Sequence, residues 1–296
     1  MTAVRPPALA VVLASCRAPE LARAAIDRLR PQCDAVGAEL IVARPASQLA
    51  VDPAGLFAGC RVVACPAPVS IPGLRGAGLA AARADWVALT EDNCVPAGNW
   101  LATLATGMAG SAVVVGGSMG NARPERAIDG GAFFAEYGFF GAGRQTGPGG
   151  ITPLITGANV AYRDVVLPDV AAWASGGAWE DVVHGRLAAQ GVLFRVVLDA
   201  IVLQQLQYSL GGFCRDRFEH GRNYAVVRGA GAGLSRRLLL AATTPLLPLV
   251  LGLRIWRSAG RCMKSDFFRA LPFTLVFLGA WAMGEAVGYL RAGRAS

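Results

Sequence analysis

Two pairs of adjacent carboxylates carry most of the chemistry this sequence offers. Glu91-Asp92, with Asn93 behind them, closes the apolar run Trp86–Leu89, and Pro96 follows at once. Proline has no N–H for a ladder, so the strand stops there. Acidic groups at the carboxyl end of a buried strand lie where open α/β sheets bind ligands. Two carboxylates and an amide oxygen can hold a hard divalent cation such as Mn²⁺ or Mg²⁺. The plainer reading of Glu91, Asp92 and Asn93 is a solvated turn. The second pair, Glu180-Asp181, follows Trp179 and opens a helical run to Leu187. Acids at a helix N-terminus are favoured by its free N–H groups and dipole. They serve there either as caps or as a base that takes a proton from a hydroxyl. His184, one turn on, is either structural or part of that site.

Cations are set nearby in the chain. Arg75 lies in Gly73-Leu74-Arg75-Gly76-Ala77-Gly78. That spacing is not a dinucleotide fingerprint, which needs GxGxxG directly after a strand. It reads instead as a small-residue approach to a helix over Leu79–Arg83, with Arg75 either near phosphates or on the surface. Residues 214–228 read as a basic helix carrying Arg215, Arg217, His220, Arg222 and Arg228. Arg217 and His220 share a face three residues apart. An arginine fork suits diphosphate oxygens, and the same helix would equally suit lipid headgroups.

The elements that position these groups alternate. Leu9–Ala14, Glu39–Ala43, Arg61–Ala64 and Trp86–Leu89 read as buried strands, with a helix from Leu21 to Pro31 between the first two. Further strands are expected at 112–115, after 156–163 and at 193–203. Strand–helix alternation predicts an α/β fold, a mostly parallel doubly wound sheet with helices on both faces. Residues 121–155, rich in glycine and aromatics, read as a long loop. Such a loop is usually functional and could form an acceptor-binding wall, although aromatics at such spacing more often serve packing.

Composition narrows the setting. The chain has 296 residues, mean hydropathy +0.43 and net charge +8. Residues 1–233 are nearly balanced, with nineteen arginines against eighteen acids; residues 234–296 hold nine Lys or Arg against two acids. A basic excess beside the most apolar stretch favours an anionic lipid surface over nucleic acid, and no nucleic-acid-binding motif occurs. Seven scattered cysteines without CxxC suit reduced thiols, not a zinc site or disulfide framework. Pro6-Pro7 before a short strand does not read as a signal peptide. The expected division is therefore a domain over 1–233 and a membrane-associated helical tail over 234–296.

Within the tail, 238–253 is uncharged and broken by Pro245 and Pro248. As a helix it would reach ~24 Å, short of the ~30 Å hydrocarbon core. Residues 270–290 are long enough to span but carry Glu285. If both crossed, the arginine-rich loop between them would lie opposite a cytoplasmic catalytic domain, against the positive-inside rule. A hairpin in one leaflet or in the interface is the preferred arrangement. Arg254 or Arg257 are the candidate partners of Glu285.

Four blocks in order resemble the family 2 glycosyltransferases, in particular their bacterial membrane-associated type. They are Leu9–Leu29; Arg75 through Thr90-Glu91-Asp92-Asn93-Cys94-Val95-Pro96; Gly157-Ala158-Asn159 with Tyr162-Arg163; and Trp179-Glu180-Asp181 with Arg186-Leu187 and Gly191. The resemblance covers roughly residues 8–230 and implies a GT-A-like fold with a Rossmann-like sheet. It implies a nucleotide-sugar donor, an inverting metal-assisted transfer, and a lipid or lipid-linked glycan acceptor at the cell membrane, with catalysis on the cytoplasmic side. By this likeness Glu91-Asp92-Asn93 stand at the DxD motif and hold metal and donor, with Ser15, Arg75 and Arg217 also on the donor. Asp181 is the general base, Glu180 orients it, and Gly157, Ala158, Asn159 and Trp179 face the acceptor. Asn93 departs from the second aspartate of that motif. Ala43-Arg44 stands where the family often has an aspartate for the nucleotide base, so the base is left open. A non-catalytic scaffold of the same fold, or a metal-dependent nucleotidyltransferase, are the rival readings.

Overall fold

A computed structural model of the chain describes residues 8–49, 55–152, 154–229 and 231–291. Pro6, Pro7 and the side chains of Arg261 and Cys262 lie outside that description. The chain divides into two compact units. One is drawn from Met1–Gly120 and Gln145–Gln205, the other from Asn121–Arg144 and Leu206–Ser296.

The first unit is built on strands β1 (Leu9–Ala14), β2 (Glu39–Pro45), β3 (Arg61–Cys65), β4 (Trp86–Glu91), β5 (Cys94–Pro96), β6 (Val114–Asn121), β7 (Val160–Arg163) and β8 (Phe194–Gln204). They form one mixed sheet in the order β3-β2-β1-β4-β7-β6-β8-β5. The β3-β2-β1-β4 half is parallel; β7 pairs antiparallel with β4 and with β6, and β5 antiparallel with β8. The expectation of a mostly parallel sheet therefore holds for the first half only. Every residue of β1 and β4 is buried, as strands covered on both faces require.

Register decides what meets at the strand ends. Ala14 pairs with Ala43 on β2 and with Glu91 on β4. The next residues, Ser15, Arg44 and Asp92, are thereby brought to one edge.

Helices α1 (Pro19–Val36), α2 (Ile71–Ala81), α3 (Trp100–Met108), α5 (Leu167–Ser175) and α6 (Glu180–Ala189) belong to this unit, and α4 (Ala127–Tyr137) to the other. Helix α1 starts with proline in its first turn and runs through Pro31, ending at Gly37 in the left-handed region (φ 65°). Helix α2 starts earlier than the glycine run suggests. Ser70 caps it by accepting from the Gly73 N–H at 3.2 Å. Its glycines are contact points: a Cβ on Gly78 would meet Val12 at 2.4 Å, and one on Gly76 would meet the Ser175 backbone at 2.4 Å.

The second unit is helical. The stretch read as a long loop holds α4, and the tail forms α8 (Leu234–Thr243), α9 (Leu247–Ser258) and α10 (Gly260–Arg291) beside α7 (Leu210–Gly229). The aromatics of 133–140 are packing groups: Phe134 sits edge-on to Phe267 on α10. Helices α7 and α10 approach at backbone distance, since a Cβ on Gly284 would lie 2.0 Å from the Phe218 carbonyl.

Candidate active site

The carboxyl ends of β1, β2 and β4 assemble a buried charged cluster. Successive strand residues point to opposite sides, so Glu91 and Asp92 part company. Asp92 turns to β1, where its Oδ2 accepts from Ser15 Oγ at 3.1 Å and from the Arg17 N–H at 2.8 Å. The Arg17 Nε lies 3.8 Å from Oδ1. Behind Ser15, the fully buried Arg44 donates to Ser15 Oγ at 2.5 Å, to the Arg17 carbonyl at 3.1 Å and to Gln48 Oε1 at 3.0 Å. Burial raises the Asp92 carboxyl above its ordinary value, outweighing the lowering by Arg17 and Ser15. Asn93 is buried, and its Oδ1 accepts from the Cys94 thiol at 3.4 Å.

Glu91 turns instead to α2. Its Oε1 accepts from Arg75 Nε at 3.0 Å and Nη2 at 2.5 Å. The same guanidinium reaches 105 residues along the chain, donating from Nη1 to Glu180 Oε2 at 2.7 Å. Arg75 is thus a buried strut between the two acidic motifs, not a cation held out toward phosphates. Burial opposes its charge, but Glu180 and Glu91 more than compensate and raise its pKa. Burial likewise works against the Glu180 charge, but Arg75 dominates and holds that carboxyl down at about 2. Gly157 makes room for the strut: a Cβ there would meet Arg75 Nη1 at 2.5 Å.

Trp179 precedes α6 in extended conformation, half-exposed, its ring 5.5 Å from the Arg75 guanidinium carbon. Asp181, in the first turn, is exposed to solvent. Partial burial, with Glu180 adding to it, raises its carboxyl above the ordinary value. A raised, accessible carboxylate beside a pinned one suits proton abstraction.

Other candidate residues hold structure. Ala158 and Asn159 are fully buried. The Asn159 amide donates to the carbonyls of Ser118 and Ala200, both at 2.8 Å, and accepts from Trp100 Nε1 at 2.9 Å. Both of its N–H donors are committed, leaving none for an acceptor. Arg217 lies in the second unit, buried, with its guanidinium 4.4 Å above the Trp281 ring. Glu285 pairs with Tyr289, whose O–H donates at 3.1 Å, and with Trp281 Nε1, rather than with Arg254 or Arg257.

His184 hydrogen-bonds Tyr162 Oη at 2.8 Å and is buried, and burial pushes its pKa down to about 4. Between that value and 6.5 the unfolded chain takes a proton that the folded chain refuses. This stability is therefore present above pH 6.5 and lost as pH falls toward 4, by about 3 kcal/mol. His184→Gln should flatten that part of the urea-midpoint profile; an unchanged slope would place the titration elsewhere.

The cation expected at Glu91, Asp92 and Asn93 meets a divided site. Among the described residues no three His, Cys, Asp or Glu side chains converge on one point. Glu91 is held by Arg75, whereas Asp92 offers a buried carboxylate whose Oδ1 has, among the described residues, one long contact with Arg17. The donor set fits a cation that Asp92 shares with ligand oxygens and water, as Mg²⁺ sites commonly do, and does not fit a three-residue cage. Arg17 and Arg44 were not singled out as part of the site by sequence. The signal was one arginine just past the end of β1 and another next to last in β2.

No protein-family model matches the chain, and no curated protein matches it by sequence. Among solved structures, a mannosyltransferase from Pyrobaculum calidifontis, in complex with GDP-Man and Mn²⁺, is similar at 15% identity with TM-score 0.50. The match covers 98% of this chain and 76% of that one. A glucosyl-3-phosphoglycerate synthase from Mycobacterium tuberculosis, in complex with Mn²⁺, UDP and phosphoglyceric acid, aligns at 16% identity and TM-score 0.47. That alignment covers 70% of this chain and 73% of that one. The first likeness shows the fold: the chain has a GT-A-like architecture.

Proposed function

We propose that this chain is a hexosyltransferase moving a sugar from a nucleotide-sugar donor to a lipid or lipid-linked glycan acceptor, with inversion. The observation that carries the reading is the strut Glu91–Arg75–Glu180, which ties the strand end to the helix bearing Asp181. This supports a reading in which donor and acceptor residues act as one constellation on a GT-A-like fold. In this reading Asp181 takes the proton of the acceptor hydroxyl as its oxygen bonds to the anomeric carbon. The anomeric carbon–oxygen bond breaks, and its electron pair leaves with the nucleoside diphosphate. Arg75 holds Glu180, and Glu180 orients the first turn of α6 around Asp181. Asp92, with Asn93 beside it, would hold Mn²⁺ or Mg²⁺, which supplies positive charge to the departing diphosphate. Ser15 and Arg17 fix the Asp92 carboxylate at the donor side. Trp179 forms the acceptor side, where an indole face suits a sugar ring.

Residues 1–233 carry this chemistry and 234–296 the membrane association, with the catalytic part on the cytoplasmic side of the cell membrane. One observation favours the non-catalytic alternative: both strand-end carboxylates already contact arginines. Release of nucleoside diphosphate from a nucleotide sugar by the purified protein is the experiment that separates the two.

A further inference from the structure

The two apolar tail segments differ in how much of them the protein covers. In the most apolar 18 residues of Leu234–Ser258, 17% are buried, against 44% in those of Met263–Arg291. Helix α8 buries no residue, and α9 buries only Gly252 and Ile255. On the other face of α9, Leu249, Val250 and Leu253, with Leu246 just before its first turn, recur at helical spacing, all exposed. Helix α10 is different. Its Gly284 face lies on α7, and its buried Glu285 is bonded within the helix to Trp281 and Tyr289.

We infer that residues 234–258 alone form the membrane-contacting arm, lying in the headgroup–acyl boundary of an anionic leaflet, while α10 is a packed helix of its unit. The inference rests on the membrane association proposed above and narrows it from 234–296 to 234–258, but needs neither donor, acceptor nor turnover. Charge selects the occupant. The stretch 234–258 holds four arginines and no acid, and Arg236, Arg254 and Arg257 are exposed. A second copy would bring the same positive charge against itself. An anionic lipid surface complements both the leucines and the arginines. The uncharged core of the arm and its Pro245 and Pro248 suit a shallow position better than a crossing.

The test adds purified full-length protein to preformed phosphatidylcholine vesicles with or without phosphatidylglycerol and measures cosedimentation. Binding should require phosphatidylglycerol and weaken as salt rises. Leu249→Asp with Leu253→Asp should lower it at least tenfold. Both positions are exposed, so an unchanged thermal melt should accompany the loss. Met283→Asp, at an exposed apolar position on α10, should leave binding at the wild-type level. Arg254→Gln with Arg257→Gln should reduce binding to phosphatidylglycerol vesicles. Wild-type binding by the Leu249/Leu253 variant, an equal loss in Met283→Asp, or binding insensitive to both salt and lipid charge would each overturn the inference. So would a lipid-free dimer that the Leu249/Leu253 variant abolishes.

Discussion

Asp181→Asn retains nucleotide binding and loses sugar transfer by about 10²–10⁴-fold, the usual worth of a positioned general base. The amide fills the same space in the first turn of α6 but cannot take a proton. The side chain is exposed, so the loss should come without a loss of folding stability. Its effect should fall on kcat, with nucleotide affinity unchanged, because donor contacts are assigned to the strand end. Glu180→Gln should behave otherwise. Glu180 is an ion-pair partner of buried Arg75, so its loss should lower stability as well as rate. Turnover by Asp181→Asn at the wild-type rate would remove Asp181 from the chemistry.

Arg75→Met should be the most destabilising single change at the site. It deletes the cation between Glu91 and Glu180, whose side chains are 8% and 23% exposed. Removing one partner of a buried ion pair costs about 3–5 kcal/mol, because the charge left behind has neither water nor counter-ion. For a chain of this size, Tm should fall by about 10 °C. The loss should shrink when Glu91→Gln and Glu180→Gln are added, since the amides need no cation. Groups that share one network are not additive, so the triple variant is the informative comparison. A loss below about 1 kcal/mol in Arg75→Met would show that the strut is not structural.

Much of this arrangement was legible in the sequence. The apolar runs before Ser15 and Glu91, and the acids opening α6, mark strand ends and a helix start by local rules alone. What local rules miss is pairing across distance. Arg75 and Glu180 lie 105 residues apart, so nothing near Arg75 shows that its fork is already occupied. Asn159 reads as a polar site residue, yet its amide is used by Ser118, Ala200 and Trp100, which only strand order brings to it. The same limit hid α4. Gly130 and Gly131 argue against a helix there by propensity. In the fold, a Cβ on Gly131 would meet Phe273 at 2.4 Å, so the glycine serves close packing. The glycines of 73–78 suggested an approach to a helix and proved to lie inside one, for the same reason. Glu91 and Asp92 look like a chelating pair because they are adjacent. On a strand, adjacency separates side chains, and the structure sends them to different arginines.

The central claim is that this site breaks a nucleotide-sugar bond. The most direct measurement incubates the purified protein with a panel of nucleotide sugars, Mn²⁺ or Mg²⁺ and a membrane lipid extract, and follows release of nucleoside diphosphate. The account predicts release from at least one donor, loss of that release in Asp181→Asn, and no pyrophosphate from nucleoside triphosphates. No nucleoside diphosphate from any donor, or pyrophosphate release in its place, would contradict it.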